Sequence, residues 1–240
     1  MKYKKLYEKQ YGEKKKMSLP QKQYWGLRRL LRKYDWDRYT VAEQFIHPSK
    51  RILDIGCGEG YMLRRLKDKF DELHGLDIAP SRLKEAKSKI KEINSFKISK
   101  FKFVEGNADD HLPFPNDFYD VIICIALIEH VYDIFFLVKE IYRVLKPDGY
   151  VIIEVPNLAY LKHRISLLLG FLPMTSSAYN WEEIGWDGAH IHYFTLKRLC
   201  LLFESQGFRI EKKSGSGFLA KFRNWWPTLL CGDLFIKVTK

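Results

Sequence analysis

The stretch Leu53–Gly60, LDIGCGEG, limits what this chain can become more than any other part of it. It follows Ser49-Lys50-Arg51 as a short apolar run and ends in three alternating glycines, Gly56, Gly58 and Gly60. Met62, Leu63 and Leu66 then recur at helical spacing. Strand, glycine turn, helix is the context that gives a glycine motif meaning. Residues without a Cβ let the backbone turn sharply and approach a ligand, and the helix that follows points N–H groups at an anion. A small ligand with a negative end is therefore expected on this turn.

Spacing narrows the ligand. A dinucleotide fold uses G-x-G-x-x-G, and the third glycine would fall at Tyr61. The chain also has no G-x-x-x-x-G-K-[ST] phosphate loop. Asp54, two places before the first glycine, would repel a pyrophosphate but suits a ligand with an amino group. An amino-acid-bearing nucleoside fits better than a dinucleotide. Cys57 in the turn reads first as a small filler, and its oxidation is the alternative.

Beyond the turn, strands and helices alternate. A helix is expected over Glu59–Phe70, a strand over Glu72–Asp77, a helix over Ser81–Ile93 and a strand over Lys100–Glu105. Phe118–Leu127 is a continuous apolar run, the mark of a strand buried on both faces. A helix over Asp133–Leu145 stops at the turn signal Lys146-Pro147-Asp148-Gly149, and Tyr150–Val155 is the fifth strand. Such alternation implies a doubly wound α/β fold, a mostly parallel sheet with helices on both faces and right-handed crossovers. Its ligand loops then share one carboxyl edge. Asp77 ends the second strand 21 positions after Gly56, where a carboxylate can take both ribose hydroxyls. Alone, Asp77 reads equally well as a helix N-terminal residue; with the glycine turn, ribose is preferred. Asp109, in GNADD at the end of the third strand, could accept from an exocyclic amino group or be a solvated loop acid. Glu129-His130 reach the same edge after the central strand.

From Leu158 to Phe194 the rhythm breaks. An apolar helix and an aromatic, polar stretch ending in GAHIHYF form an insertion after strand five, in the place of a substrate lid. Thr195 caps a helix to Gln206, Phe208–Lys213 is a strand, and Leu234–Thr239 is a late strand with an antiparallel partner. At the other end, residues 1–47 read as a basic helical cap, with Leu27, Leu30, Leu31 and Tyr34 on one face of an amphipathic helix over the glycine turn. Residues 48–240 form the domain proper, with 158–194 as its substrate-side insertion.

Composition sets the outer bounds. With 240 residues, 46% of them hydrophobic, one well-packed domain is expected. No run of about 18 apolar residues occurs and the N-terminus has no apolar core, so a cytoplasmic protein without a membrane span is expected. Four dispersed cysteines make neither a zinc motif nor a disulfide framework. A net charge of +12 leaves RNA, anionic lipid or anionic metabolites open as neighbours.

Taken in order, LDIGCGEG, GLDIAP, GNADD, FYDVIICIALIEHV and EIYRVLKPDGYVIIEVPN resemble the class I S-adenosylmethionine-dependent methyltransferases over about residues 49–156, with weaker agreement in GAHIHYFTLKRLCLLFESQGF and the last strand. The resemblance implies a seven-stranded sheet, six strands parallel and the last, antiparallel, inserted between the fifth and sixth. It implies S-adenosylmethionine as cofactor and S-adenosylhomocysteine as product. Asp54, Gly56, Cys57 and Gly58 would hold its methionine part, Asp77 and Ile78 the ribose and adenine side, Ala108 and Asp109 the adenine, with Ile125 at the sulfonium end. A small-molecule acceptor, sugar or lipid-like, is implied more weakly. An RNA methyltransferase and a non-catalytic cofactor-binding regulator are the alternatives.

In-line displacement from a sulfonium needs chiefly alignment and desolvation, and a hydroxyl or protonated nitrogen acceptor adds use for a base. The candidates are His130, His190, His192 and Tyr193, and a structural role for the last three is the competing reading. His190 and His192 would share a strand face, but a third ligand is not evident in the sequence, so no metal is expected.

Overall fold

Alternate residues of the central apolar run face opposite sides of the sheet. Ile122 and Cys124 lie in one hydrophobic core, Val121 and Ile123 in another, which is why the run shows no polar alternation. The computed structural model describes residues 34–92, 95–176 and 190–240. Its strands are β1 Ser49–Ile55, β2 Phe70–Asp77, β3 Phe101–Glu105, β4 Tyr119–Ile125, β5 Leu145–Pro156, β6 Arg209–Ser216 and β7 Asp233–Thr239. They form one sheet in the order β3-β2-β1-β4-β5-β7-β6, with β7 antiparallel to both neighbours. The sheet implied by the family resemblance is the one observed.

The described helices are α1 Arg38–Phe45, α2 Tyr61–Arg65, α3 Pro80–Lys91, α4 Ile134–Val144, α5 Leu161–Leu168, α6 Leu196–Glu204, α7 Ala220–Arg223 and α8 Pro227–Leu230. On one face Val41, Ala42 and Phe45 of α1 join Leu63 of α2 and Leu83 of α3 over Ile52 and Ile152. On the other, Leu137, Val138 and Ile141 of α4 and Leu199 and Phe203 of α6 cover Leu53 and Ile153. Each such side chain contributes about 1.5–3 kcal/mol by leaving water, so both faces are anchored and the carboxyl edge is free to carry polar groups.

Several expectations are corrected. The helix expected over Glu59–Phe70 ends at Arg65, because Leu66 N–H turns back to Met62 O and Leu63 O, and the Lys69 ammonium docks on Glu43 O and Ile46 O. Phe70 therefore opens β2. The Lys146–Gly149 turn lies inside β5, with Asp148 at φ +63° and a slip in pairing between Tyr119 and Val121 absorbing it. Helix α1 was not foreseen; Asp37 caps it by accepting from Thr40 N–H at 2.7 Å. The amphipathic helix expected over Leu27–Tyr34 lies outside the described residues apart from Tyr34, as do residues 177–189 of the insertion. The base of the insertion is closed by Leu158 N–H donating to Phe194 O at 3.0 Å.

Candidate active site

Gly56, Gly58 and Gly60 all adopt left-handed backbone, at φ +78°, +51° and +70°. The left-handed backbone favours glycine at Gly58, and a Cβ there would also have to displace the Arg82 guanidinium, which lies 2.6 Å away. The N–H groups of the turn are used internally. Gly56 and Cys57 donate to Leu76 O, Gly60 to Cys57 O, and Gly58 to Asp77 Oδ2 at 2.8 Å. The turn is thus not a phosphate nest, and the expected anion cradle is replaced by a carboxylate that knots β1 to β2. Asp77 Oδ1 accepts from Ala79 N–H at 2.9 Å. Each carboxylate oxygen carries two lone pairs, so this holding is compatible with a ribose hydroxyl as well.

Asp54 is buried next to that knot. Burial, and then the nearby Asp77 charge, push its carboxyl well above the usual range. Two carboxylates in one buried cleft disfavour a pyrophosphate and favour a ligand with cationic centres. That chemistry suits a sulfonium and an α-ammonium. Cys57 points the other way: a Cβ on Gly75 would lie 2.6 Å from its Sγ, and burial raises its thiol well above normal. It is an inert filler at the root of the turn. Ile78 and Ile125 are half-buried and Ala108 is buried. Asp109 Oδ1 accepts from Tyr132 and Asp133 N–H at 2.7 and 3.0 Å, so it also fixes the entry to α4.

After Ile125 the chain turns through Ala126 at φ +50°, a conformation that costs an alanine about 1 kcal/mol, and enters the short 3-10 turn Ile128–His130. This turn puts Glu129 inward, 1% exposed, with no hydrogen-bond partner for either carboxylate oxygen. Burial pushes it up to about 7, with Arg38 opposing and Asp233 adding to the shift. The chain returning from the insertion is pinned here, since Ile191 and His192 N–H both donate to Glu129 O at 3.0 and 3.1 Å. That pinning sets the His190 ring edge-on to His130, centroids 4.8 Å apart, with His190 Nε2 3.9 Å from Glu129 Oε1. His192 Nε2 lies 3.2 Å from Tyr132 O instead, and the Tyr193 side chain is exposed. Of the four sequence candidates for a base, the structure brings together His130 and His190.

Three residues that sequence reasoning passed over gather at the same carboxyl edge. Arg38 of α1 reaches Glu154 Oε2 at 3.5 Å and Asp233 Oδ1 at 3.7 Å. Asp233 is there because β7 runs antiparallel and so begins at the carboxyl edge. Burial pushes Glu154 up to about 8 despite Arg38. A single acid in the apolar run Tyr150–Val155 was a readable sign of Glu154. Nothing in the sequence pattern pointed to Arg38.

Sheet order, glycine turn and paired acids together define an S-adenosylmethionine-dependent methyltransferase. A family model described as "Methyltransferase domain" matches residues 27–213, and the chain belongs to that family. It is 26% identical over 197 residues to a demethylmenaquinone methyltransferase of Lysinibacillus sphaericus, covering 76% of this chain and 80% of that one. A ubiquinone biosynthesis O-methyltransferase of Aliivibrio fischeri is 28% identical over 108 residues, 45% of this chain and 44% of that one. Among solved structures, a SAM-dependent methyltransferase from Aquifex aeolicus superposes with a TM-score of 0.58 at 16% identity, covering 86% and 91% of the two chains. Among the described residues no helix is long and apolar enough to cross a membrane.

Proposed function

We propose that the chain methylates a small, lipid-like or aromatic acceptor, at a hydroxyl or an acidic carbon, held against the Glu129–His130–His190 cluster. The observation that carries this reading is the convergence of two imidazoles on a buried carboxylate directly beyond Ile125, the residue assigned to the sulfonium end. Bound S-adenosylmethionine supplies an electrophilic methyl group whose bond to sulfur breaks as the acceptor's electron pair attacks in line. The acceptor must lose a proton, and in this reading His190 or His130, backed by Glu129, takes it where no ion is bound. Asp54 and Asp77 orient the donor, and the apolar walls of Ile125 and Ile128 exclude water. Quinone-pathway names among the relatives agree with a small aromatic acceptor.

The charge of +12 favours RNA as the rival acceptor. Incubation with methyl-labelled S-adenosylmethionine and separate small-molecule, lipid and RNA extracts tests the reading. Label in the organic-soluble or small-molecule fraction is expected. Label confined to RNA would replace the proposed acceptor, and cofactor binding without label anywhere would point to a non-catalytic regulator.

A further inference from the structure

Glu129, His130 and His190 each offer a ligand atom, and these atoms all lie within 4.8 Å of one another. The sequence suggested a different histidine pair, His190 with His192, and no third ligand. The structure breaks that pair and supplies the third ligand: His192 Nε2 is turned to Tyr132 O, while His190 faces Glu129 and His130. We propose that Glu129, His130 and His190 bind a divalent cation through one carboxylate oxygen and two imidazole nitrogens, leaving a coordination position for the acceptor oxygen.

The buried carboxylate supports this independently of the clustering. Glu129 is 1% exposed and neither of its oxygens has a hydrogen-bond partner. An unmatched buried carboxylate is costly unless a cation meets it. Arg38 is engaged with Glu154 and Asp233. The surroundings of His190 also suit a ligand. Its Nδ1 lies 2.7 Å from Thr175 Oγ1, so Nδ1–H can donate to the hydroxyl and leave Nε2 as the electron-pair donor toward Glu129. A hydrogen bond to the second ring nitrogen is the usual outer support of a metal-bound histidine. The bonds from Ile191 and His192 N–H to Glu129 O fix the two ligand-bearing segments to each other. Two donors about 2.1 Å from a tetrahedral ion stand roughly 3.4 Å apart. The Glu129–His190 separation is 3.9 Å and all three ligand atoms lie within 4.8 Å, so ion binding requires the side chains to draw together. Two imidazoles and one carboxylate favour zinc, manganese, iron or cobalt over magnesium or calcium, which prefer all-oxygen sites.

The role of the ion rests on the reading that the acceptor faces this cluster; the site itself does not. With the ion bound, an acceptor hydroxyl coordinates as its oxyanion and its proton leaves to solvent, so the imidazoles serve as ligands and not as the base.

The test uses the full chain, free of any affinity tag and stripped with a chelator, titrated with Zn²⁺ by calorimetry and with Co²⁺ by visible absorption. One equivalent is expected to bind, with cobalt bands of a four- or five-coordinate site. Glu129→Gln and His190→Ala should each weaken binding at least about 100-fold, and Thr175→Val about 10-fold. His192→Ala should bind as the wild type does. Circular dichroism and melting confirm that each variant is folded, and Thr175→Val and His192→Ala keep the comparison open if a ligand variant is not. Absence of a stoichiometric site in the wild type, or binding that survives loss of Glu129 and His190, overturns the proposal. Methyl transfer by a metal-free chain that binds no ion would remove the ion while leaving the acceptor reading intact. Ion binding without transfer to any small molecule would do the reverse.

Discussion

On the proposed donor side, Asp54, Gly58 and Asp77 come from one strand–turn–helix–strand unit, in which the Asp77 carboxylate ties Gly58 and Ala79 together beside the buried Asp54. On the acceptor side, Arg38, Glu129, Glu154, His190 and Asp233 come from five separate segments and meet only because the sheet gathers their ends. The first arrangement is local, and its hydrogen bonds are satisfied before any ligand arrives. The second is long-range, and two of its carboxylates, Glu129 and Glu154, are buried without hydrogen-bond partners. Evolution can therefore keep the donor half nearly fixed while the acceptor half is rebuilt by changing loops and insertions.

The sharpest way to break this division is at the knot. Asp77→Ala removes the acceptor of both Gly58 N–H and Ala79 N–H, and with it the ribose contact that the family resemblance implies for this carboxylate. It should weaken S-adenosylmethionine binding by about 2–3 kcal/mol, roughly 30- to 150-fold in Kd. On the other side, Arg38→Gln leaves Glu154 and Asp233 without their shared cation, and a loss of about 3 kcal/mol is expected where both are ionised. The effect depends on pH in a defined sense. Glu154 has a folded value of about 8, above its ordinary 4.5, so its contribution to stability is full below about 4.5 and is lost as pH rises through 8. Wild-type melting should therefore fall between pH 5 and pH 9. The Arg38→Gln deficit should be larger at pH 9, where Glu154 is ionised in the wild type, than at pH 6. A deficit independent of pH would remove the shared-cation account.

Smaller effects sharpen the same contrast. His190→Ala should lower kcat by about 10²-fold or more, the range of a lost acid–base group or of a lost metal ligand, with the KM for S-adenosylmethionine nearly unchanged. Cys57→Ala should change cofactor affinity least, by less than about twofold, because its side chain packs against Gly75 and not into the cleft. Thiol labelling of the native wild type at Cys57 should be slow, since all four cysteines are buried.

How much was legible follows from the same division. LDIGCGEG, the interval to Asp77 and the apolar run Phe118–Leu127 announced the sheet and the edge at which the glycine turn and Asp77 meet, because each is set by local backbone requirements and by burial on two faces. The expected anion cradle was wrong in detail because sequence does not show that Leu76 O and Asp77 consume the N–H groups of the turn. Helix α2 was overextended because helical spacing was present, but Lys69 is captured by the end of α1. His130 was visible from its place after the central strand. Its partner His190 could be named but not separated from His192 and Tyr193, since the bonds to Glu129 O that choose among them span some sixty positions. Arg38 carried no signal at all, lying in a helix whose packing, and not its pattern, defines it.

The central claim is that the donor site stands apart from the acceptor cluster. Calorimetric titration of S-adenosylmethionine into the wild type, Asp77→Ala and His190→Ala tests it directly. The account predicts a Kd at least about 30-fold weaker for Asp77→Ala and within about twofold of wild type for His190→Ala, the former being the loss of a charge-assisted hydrogen bond. Unchanged affinity in Asp77→Ala, or a His190→Ala loss as large as that at Asp77, would contradict it.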